Sequence, residues 1–274
     1  PSLNDVVLFQ HNVESVIWRR RVEQAPDPGR RFYLKRQYQR MIVYEGQACR
    51  SARRVVAVSA LDAQWMKELY GVTEVSIIPT GVDLEFFAPR AAPPGADLVF
   101  VGSMDWMPNV DGARFFIREV LPLIRRQRPD CTLALVGRTP GKEVQALAEG
   151  DRNILVTGTV PDVRPWLWGA KISIVPLRIG GGTRLKIYEA MAARTAVVST
   201  RIGAEGLPLE PGQHLLIADE PQDLAAACLD LLASRERRER LVQQAWEFVA
   251  AHFSWERVAA RFEEILEGAP APRG

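Results

Sequence analysis

Apolar runs of four to seven residues recur along the chain, each bounded by Gly, Asp or Pro. In order they are "DVVLFQ" (5–10), "RVVAVS" (54–59), "VSIIPT" (75–80), "LVFVGS" (98–103), "CTLALVG" (131–137), "NILVTG" (153–158), "ISIVPL" (172–177), "TAVVST" (195–200) and "HLLIAD" (214–219). They are continuous and rich in Val, Ile and Leu rather than alternating, which predicts strands buried on both faces. Amphipathic stretches separate them, among them "DGARFFIREVLPLIRRQ" (111–127) and "KEVQALAE" (142–149). Strands alternating with helices build βαβ units, so the expected fold class is α/β with doubly wound, mostly parallel sheets.

One Pro-rich break, "FAPRAAPPGAD" (87–97), divides this series. Residues 1–88 hold three strands and read as the C-terminal remnant of a Rossmann-like unit that is truncated in this chain. Residues 89–253 hold enough strands for a complete Rossmann-like domain, and 254–268 read as a last helix with Ser254 at its N-cap. The chain opens on Pro1 without Met and enters a strand-like run almost at once, which predicts that its natural beginning lies upstream. A length of 274 residues agrees with two units, at about 150 residues per domain.

With 47% hydrophobic and 25% charged residues the composition is that of an ordinary globular protein. No apolar run approaches the roughly 18 residues that span a bilayer, and no cationic-then-apolar leader is present. Cys49, Cys131 and Cys228 are odd in number and far apart, which argues for a reducing, cytoplasmic compartment and against disulfides or structural zinc. The formal net charge of +2 is unevenly spread: residues 19–54 carry eleven Lys/Arg against three Asp/Glu. Such a segment suits acidic lipid headgroups at the inner face of a membrane, or a phosphorylated substrate. A solvated helix surface fits it equally well. No nucleic-acid motif accompanies the charge, so nucleic acid is not an expected partner.

In an open α/β sheet, ligands bind beyond the carboxyl ends of the strands. Gly102-Ser103, Gly137-Arg138, Gly158-Thr159 and Gly180-Gly181-Gly182 all fall at such ends. The last of these opens "RIGGGTRLKIYEAMA" (178–192), where glycines run through Thr183 into a helix bearing Arg184, Lys186 and Glu189. A helix start offers free N–H donors and partial positive charge, glycines let an anion approach, and the two cations add charge-assisted bonds. Glu189 stands two turns further on, where a carboxylate suits the hydroxyls of a ribose. The stretch therefore reads as a seat for a nucleotide diphosphate. Neither G-x-G-x-x-G after a strand nor a P-loop occurs, which disfavours dinucleotide oxidoreductases and P-loop NTPases. No G-x-S-x-G elbow occurs either. Of the three histidines, His214 and His252 read as structural, whereas His11 follows a strand at its carboxyl rim and is a candidate functional group.

On these residues the chain resembles the retaining glycosyltransferases of the GT-B fold, the large bacterial family-four group. "LFQHNVES", "VVAVSALDAQWMKELYG" with "VSIIPTGVDLEFFAP", "VFVGSMDWMPN", "LALVGR", "VTGTVPDV" and "VVSTRIGAEGL" are similar to the family's successive landmarks. "FSWERVAARFEEIL" resembles its helix that crosses back to the N-terminal domain. The resemblance implies a ribose-binding role for Glu189, diphosphate contacts from Arg184 and Lys186, and backbone contacts to the base at Thr159 and Val160. It also matches His11 to a histidine that reaches the donor sugar. Gly181 stands where relatives often carry a sugar-binding glutamate, and the first loop, "VGSMDWMPN", lacks the family's alternative Arg and Lys.

The implied reaction is sugar transfer from a UDP- or GDP-type donor to a polysaccharide, glycolipid or other glycan acceptor, without any cofactor. No Asp-x-Asp motif is present, so metal independence is expected, with helix N–H groups and cations stabilising the leaving diphosphate. The competing expectations are a non-catalytic nucleotide-sugar binding module and a GT-B nucleotide-sugar epimerase.

Overall fold

The computed structural model describes residues 6–92, 95–179 and 184–268. Its contacts form two compact units. One gathers the described residues up to Gly81 with those from Trp255 onward; the other takes Val82–Ile179 and Arg184–Ser254.

In the first unit, β1 (Val7–Gln10), β2 (Arg54–Ala57) and β3 (Val75–Ile77) form a parallel sheet in the order β1-β2-β3, with Leu8 opposite Val55 and Val56 opposite Ser76. Between the strands run α1 (Glu14–Glu23), α2 (Pro28–Ser51) and α3 (Ala60–Tyr70). Successive strand residues point to opposite faces. Val55 and Ala57 accordingly join a cluster with Val16, Cys49, Met66 and Tyr70, while Val56 joins Ile78 and Val258 on the other face. That second face is covered by α12 (Trp255–Glu267), whose Phe262 ring meets Phe9 edge-on at 5.9 Å. Local sequence sets the helix ends. Asp27 caps Arg30 N–H ahead of Pro28, Ser59 caps Asp62 N–H at 3.0 Å, and Gly71 closes α3 at φ 67°.

The start of α1 is stabilised differently. Val13 at its N-cap offers no side-chain acceptor, and the carboxylate of Glu45, from α2, takes that place. Glu45 accepts from the N–H groups of Glu14 (3.0 Å) and Ser15 (2.8 Å), from Ser15 Oγ (2.6 Å) and from the Tyr70 hydroxyl. At 3% exposure this acid is part of the core. Its charge is answered by helix N–H donors and the positive end of α1. Burial, and then the bond to Glu45, push the Tyr70 hydroxyl far above the ordinary tyrosine range.

The second unit begins with α4 (Leu84–Phe87) and builds a six-stranded parallel sheet in the order β6-β5-β4-β7-β8-β9. Its strands are β4 (Leu98–Val101), β5 (Leu133–Val136), β6 (Ile154–Val156), β7 (Ile172–Val175), β8 (Ala196–Ser199) and β9 (Leu216–Ile217). The chain works outward from β4 to β6, then returns to place β7 on the other side of β4. The direction of winding therefore reverses between β4 and β7, which is where an open sheet forms its ligand crevice. Connections include α5 (Met107–Phe115), α6 (Leu121–Arg125), α7 (Lys142–Ala146), α8 (Arg164–Gly169) and α9 (Leu185–Ala192). α10 (Pro221–Ala233) and α11 (Arg235–His252) complete the unit.

Where the sequence pattern predicts one helix over 111–127, the helix begins at Met107 and is interrupted by a π-turn at Phe116–Val120. Leu121 N–H reaches back five residues to Phe116 O. Pro122 accounts for the interruption: it has no N–H to donate, and its ring crowds the carbonyl four residues earlier.

Because Glu45 satisfies several buried donors at once, Glu45→Ala is expected to cost about 3 kcal/mol or more. Tyr70→Phe, which removes one donor, should cost about 1 kcal/mol. Urea unfolding with both variants and the parent protein measures the difference, and equal costs would refute the network's primacy.

Candidate functional site

The winding reversal directs attention to the carboxyl end of β4. Gly102 follows that strand, and a Cβ there would lie 2.7 Å from Asn109 Nδ2 and 2.9 Å from Lys186 Nζ. A side chain at this position would have to displace that amide and that ammonium. Lys186 reaches this point from the first turn of α9. Its Nζ donates to Asn109 Oδ1 at 2.8 Å and sits 4.8 Å from the centre of the Phe100 ring on β4. Asn109, in the first turn of α5, is 2% exposed, and its Nδ2 donates to Ser103 O at 2.8 Å.

β5 ends against the same loop. Gly102 N–H bonds Val136 O at 2.9 Å and Met104 N–H bonds Arg138 O at 3.0 Å. A Cβ on Gly137 would collide with the Gly102 carbonyl. Arg138 Nε donates to Ser103 Oγ at 2.7 Å, and Ser103 Oγ donates to Asp105 Oδ1 at 2.7 Å. Of the expected site residues, the structure thus brings Gly102, Ser103, Arg138 and Lys186 together on one rim.

Electrostatics mark Lys186 out. Desolvation, then the neighbouring Arg184 charge, push its ammonium down to about 7, with Glu189 opposing the shift. The residue keeps some exposed surface, so the desolvation acts on the ammonium packed against β4. Arg184 forms the N-cap of α9 and is 3% exposed. Glu189 follows one turn after Lys186, and burial raises its carboxyl above the ordinary range, with Lys186 acting against that rise. Two cations and one carboxyl therefore share the start of one helix in a poorly solvated setting, which is a favourable field for an anion.

The remaining expected positions are more dispersed. Thr159 is exposed and Val160 half-buried after β6, on the same rim but with β5 between them and β4. Gly158 precedes them at φ 68°, a conformation that suits glycine. Gly180, Gly181, Gly182 and Thr183 lie outside the described residues. His11 belongs to the first unit, where it follows β1, is exposed, and meets the Phe9 ring at 4.7 Å. His214 is structural: its Nδ1 accepts from Glu210 N–H at 3.0 Å and its ring stacks on Phe248 at 4.3 Å.

Three further residues organise the rim without having been expected there. Besides Asn109 they are Asp111 and Arg178. Arg178, just beyond β7, donates to Asp111 at 2.7 and 3.0 Å, and Arg114 donates to the same carboxylate at 2.8 Å. Burial alone would raise Asp111, but the two guanidinium groups more than reverse this and hold it below the usual carboxylate range. The sequence signal was "PNVD" (108–111), in the stretch that follows a glycine-ended strand, with an amide and a carboxylate two residues apart.

Residues 95–234 match the family model described as glycosyl transferases group 1, and residues 5–86 match that of Glycosyltransferase Family 4. The D-inositol 3-phosphate glycosyltransferase of Nocardiopsis dassonvillei is 28% identical over 257 residues, covering 84% of this chain and 59% of that relative. The lipopolysaccharide core biosynthesis mannosyltransferase LpcC of Rhizobium leguminosarum is 29% identical over 206 residues, covering 68% and 57%. The chain thus spans less than two thirds of the length of either relative. Among solved structures, Anabaena HepE in complex with UDP and glucose superimposes with a TM-score of 0.76 at 15% identity, over 96% of this chain and 72% of that one. Sucrose-phosphate synthase from Thermosynechococcus elongatus gives 0.74 at 20% identity, over 95% and 67%. These likenesses establish the fold as GT-B. Because the first family model takes in just over half of the residues, the chain belongs to the glycosyl transferases of group 1.

Proposed function

We propose that the protein is a metal-independent, retaining glycosyltransferase that moves a sugar from a UDP- or GDP-type donor to a polysaccharide, glycolipid or other glycan acceptor. The observation that carries this reading is the Lys186 ammonium, desolvated at the carboxyl end of β4 beside Arg184. When the bond between the anomeric carbon and the diphosphate breaks, negative charge grows on the leaving group and positive charge on the sugar ring. In this reading Lys186 and Arg184 would stabilise that leaving group through preorganised charge. Glu189 would accept hydrogen bonds from ribose hydroxyls, while the backbone at Gly102, Ser103, Thr159 and Val160, with Arg138, would line the nucleotide. His11 is assigned to the donor sugar by resemblance. Retention follows from attack on the same face, the leaving phosphate taking the acceptor's proton. The relatives' names support a sugar-transferring enzyme, and the UDP in the HepE complex supports the donor class.

The acceptor reading extends to an anionic membrane surface at the inner leaflet, contacted through residues 19–54. Along α2, Phe32, Arg36 and Val43 share one stripe, and Tyr33, Arg40 and Tyr44 the next. Phe32 and Tyr44 are each 70% exposed. Aromatic rings interleaved with arginines match the bilayer interface, where rings enter the headgroup layer and cations meet acidic lipids.

Calorimetric titration with UDP and GDP tests the site. Lys186→Met should lose about ten- to a hundredfold in affinity, the worth of one charge-assisted bond; Glu189→Gln should lose less. Unchanged affinity in Lys186→Met removes the basis of the reading. Transfer should persist in EDTA. The pH dependence has a definite sign: an anion binds the charged lysine, so affinity should fall as pH rises through about 7. Nucleotide phosphates titrate near pH 6 in the opposite sense, and subtracting the Lys186→Met profile isolates the lysine. For the membrane contact, sedimentation with phosphatidylglycerol vesicles should retain the parent protein. The double charge reversal Arg36→Glu, Arg40→Glu should abolish that retention; retention equal to the parent would exclude the α2 face.

A further inference from the structure

The first two turns of α5 hold two cations from elsewhere in the chain, and treat them differently. Asp111 gives Arg178 a full negative charge, and Arg114 completes that cluster. Two residues earlier, Asn109 gives Lys186 a neutral carbonyl oxygen at 2.8 Å. The contrast has a physical consequence. A carboxylate beside an ammonium neutralises it and weakens its pull on an incoming anion, whereas an amide fixes its position and leaves the charge in place. From the surroundings of Lys186, the charged groups acting on the ammonium are Arg184, a like charge, and Glu189, whose carboxyl burial disfavours in its ionised form. β4 faces it with the Phe100 ring, and the residue after β4 with the bare backbone of Gly102.

The other half of the Asn109 side chain is equally committed. Its Nδ2 donates to Ser103 O, and Asn109 N–H donates to Trp106 O at 2.9 Å. One buried amide thus joins α9 to the loop after β4. We propose that Asn109 is a positioning residue, which holds the Lys186 ammonium over Gly102 with its charge unneutralised for the donor diphosphate and ties it to the Gly102–Ser103 backbone. This inference rests on the nucleotide-sugar reading for its ligand, but its core concerns Lys186 alone and is measurable without one.

Asn109→Asp is nearly isosteric and adds the charge whose absence is argued to matter. Lysine labelled with 13C at Cε follows the titration of Lys186 by NMR, the resonance being assigned by its loss in Lys186→Met. The midpoint, near 7 in the parent protein, should rise by about one unit or more in Asn109→Asp. UDP affinity at pH 6.5 should fall about tenfold, and the pH at which affinity declines should move up with the midpoint. Asn109→Leu removes the acceptor without adding a charge; it should lose UDP affinity while the Lys186 midpoint stays at or below that of the parent. An ammonium that is not held against residue 109 would leave the midpoint unmoved in Asn109→Asp, a merely structural asparagine would leave UDP affinity parent-like in Asn109→Leu, and either result overturns the proposal. The two readings fail separately. Absence of UDP and GDP binding by the parent protein sinks the nucleotide reading, while a raised midpoint in Asn109→Asp still supports the placement of Lys186. Loss of binding in Lys186→Met with a silent Asn109→Asp does the reverse.

Discussion

At the carboxyl ends of β4 and β5 the Gly102 carbonyl lies so close to Gly137 that Gly137 has no room for a Cβ, and the Asn109 and Lys186 side chains crowd the place of a Cβ on Gly102. That contact governs the rim of the second sheet. It lets the loop after β4 fold against the loop after β5, with Met104 N–H and Ser103 Oγ bonded to Arg138. It also leaves above Gly102 a volume that the Asn109 amide and the Lys186 ammonium fill. Protein interiors are close-packed, so a vacancy of one side chain is a position that other groups occupy. Here the occupant is a cation brought from a helix 77 residues away from its amide partner.

Placing an ammonium there is unfavourable in itself, because desolvation opposes the charged form and Arg184 adds repulsion. Such arrangements persist when the surrounding fold determines them, and they concentrate where a ligand later relieves the strain. The sign of the linkage agrees. A lysine with a depressed folded-state pKa opposes folding below about 7 and ceases to do so as pH rises toward its unfolded value. In the first unit the opposite solution is used. The buried charge of Glu45 is fully answered by helix N–H groups and hydroxyls, and it fixes the turn that follows His11.

The strands were legible because continuous Val/Ile/Leu runs admit few other readings, and the described strands fall within those runs. The glycine-ended loops and the cations of α9 were legible because each breaks a local expectation. Asn109 was hidden by a boundary: the helix was expected from residue 111, yet it starts at Met107, where Trp106 offers no capping side chain to announce it. Arg178 reads in sequence as one more cation beside a glycine run, and nothing local reveals that a carboxylate 67 residues away already neutralises it. Glu45 is one of three acids in a basic stretch, where it resembles a surface counter-charge rather than a buried cap. In each case the missing information is a long-range pairing, which periodicity along the chain does not encode.

The membership of α12 in the first unit also sets an order of events. Val258, Phe262 and Ile265 cover the sheet face that bears Val56 and Ile78, yet they are separated from it in sequence by the whole of the second unit. Domains fold as their residues leave the ribosome, N-terminal parts first. The first unit begins to emerge before the second but finishes after it, and its sheet face waits uncovered until the last helix is made. From the synthesis of residue 81 to that of residue 255, the nascent chain therefore carries that apolar face without its helix.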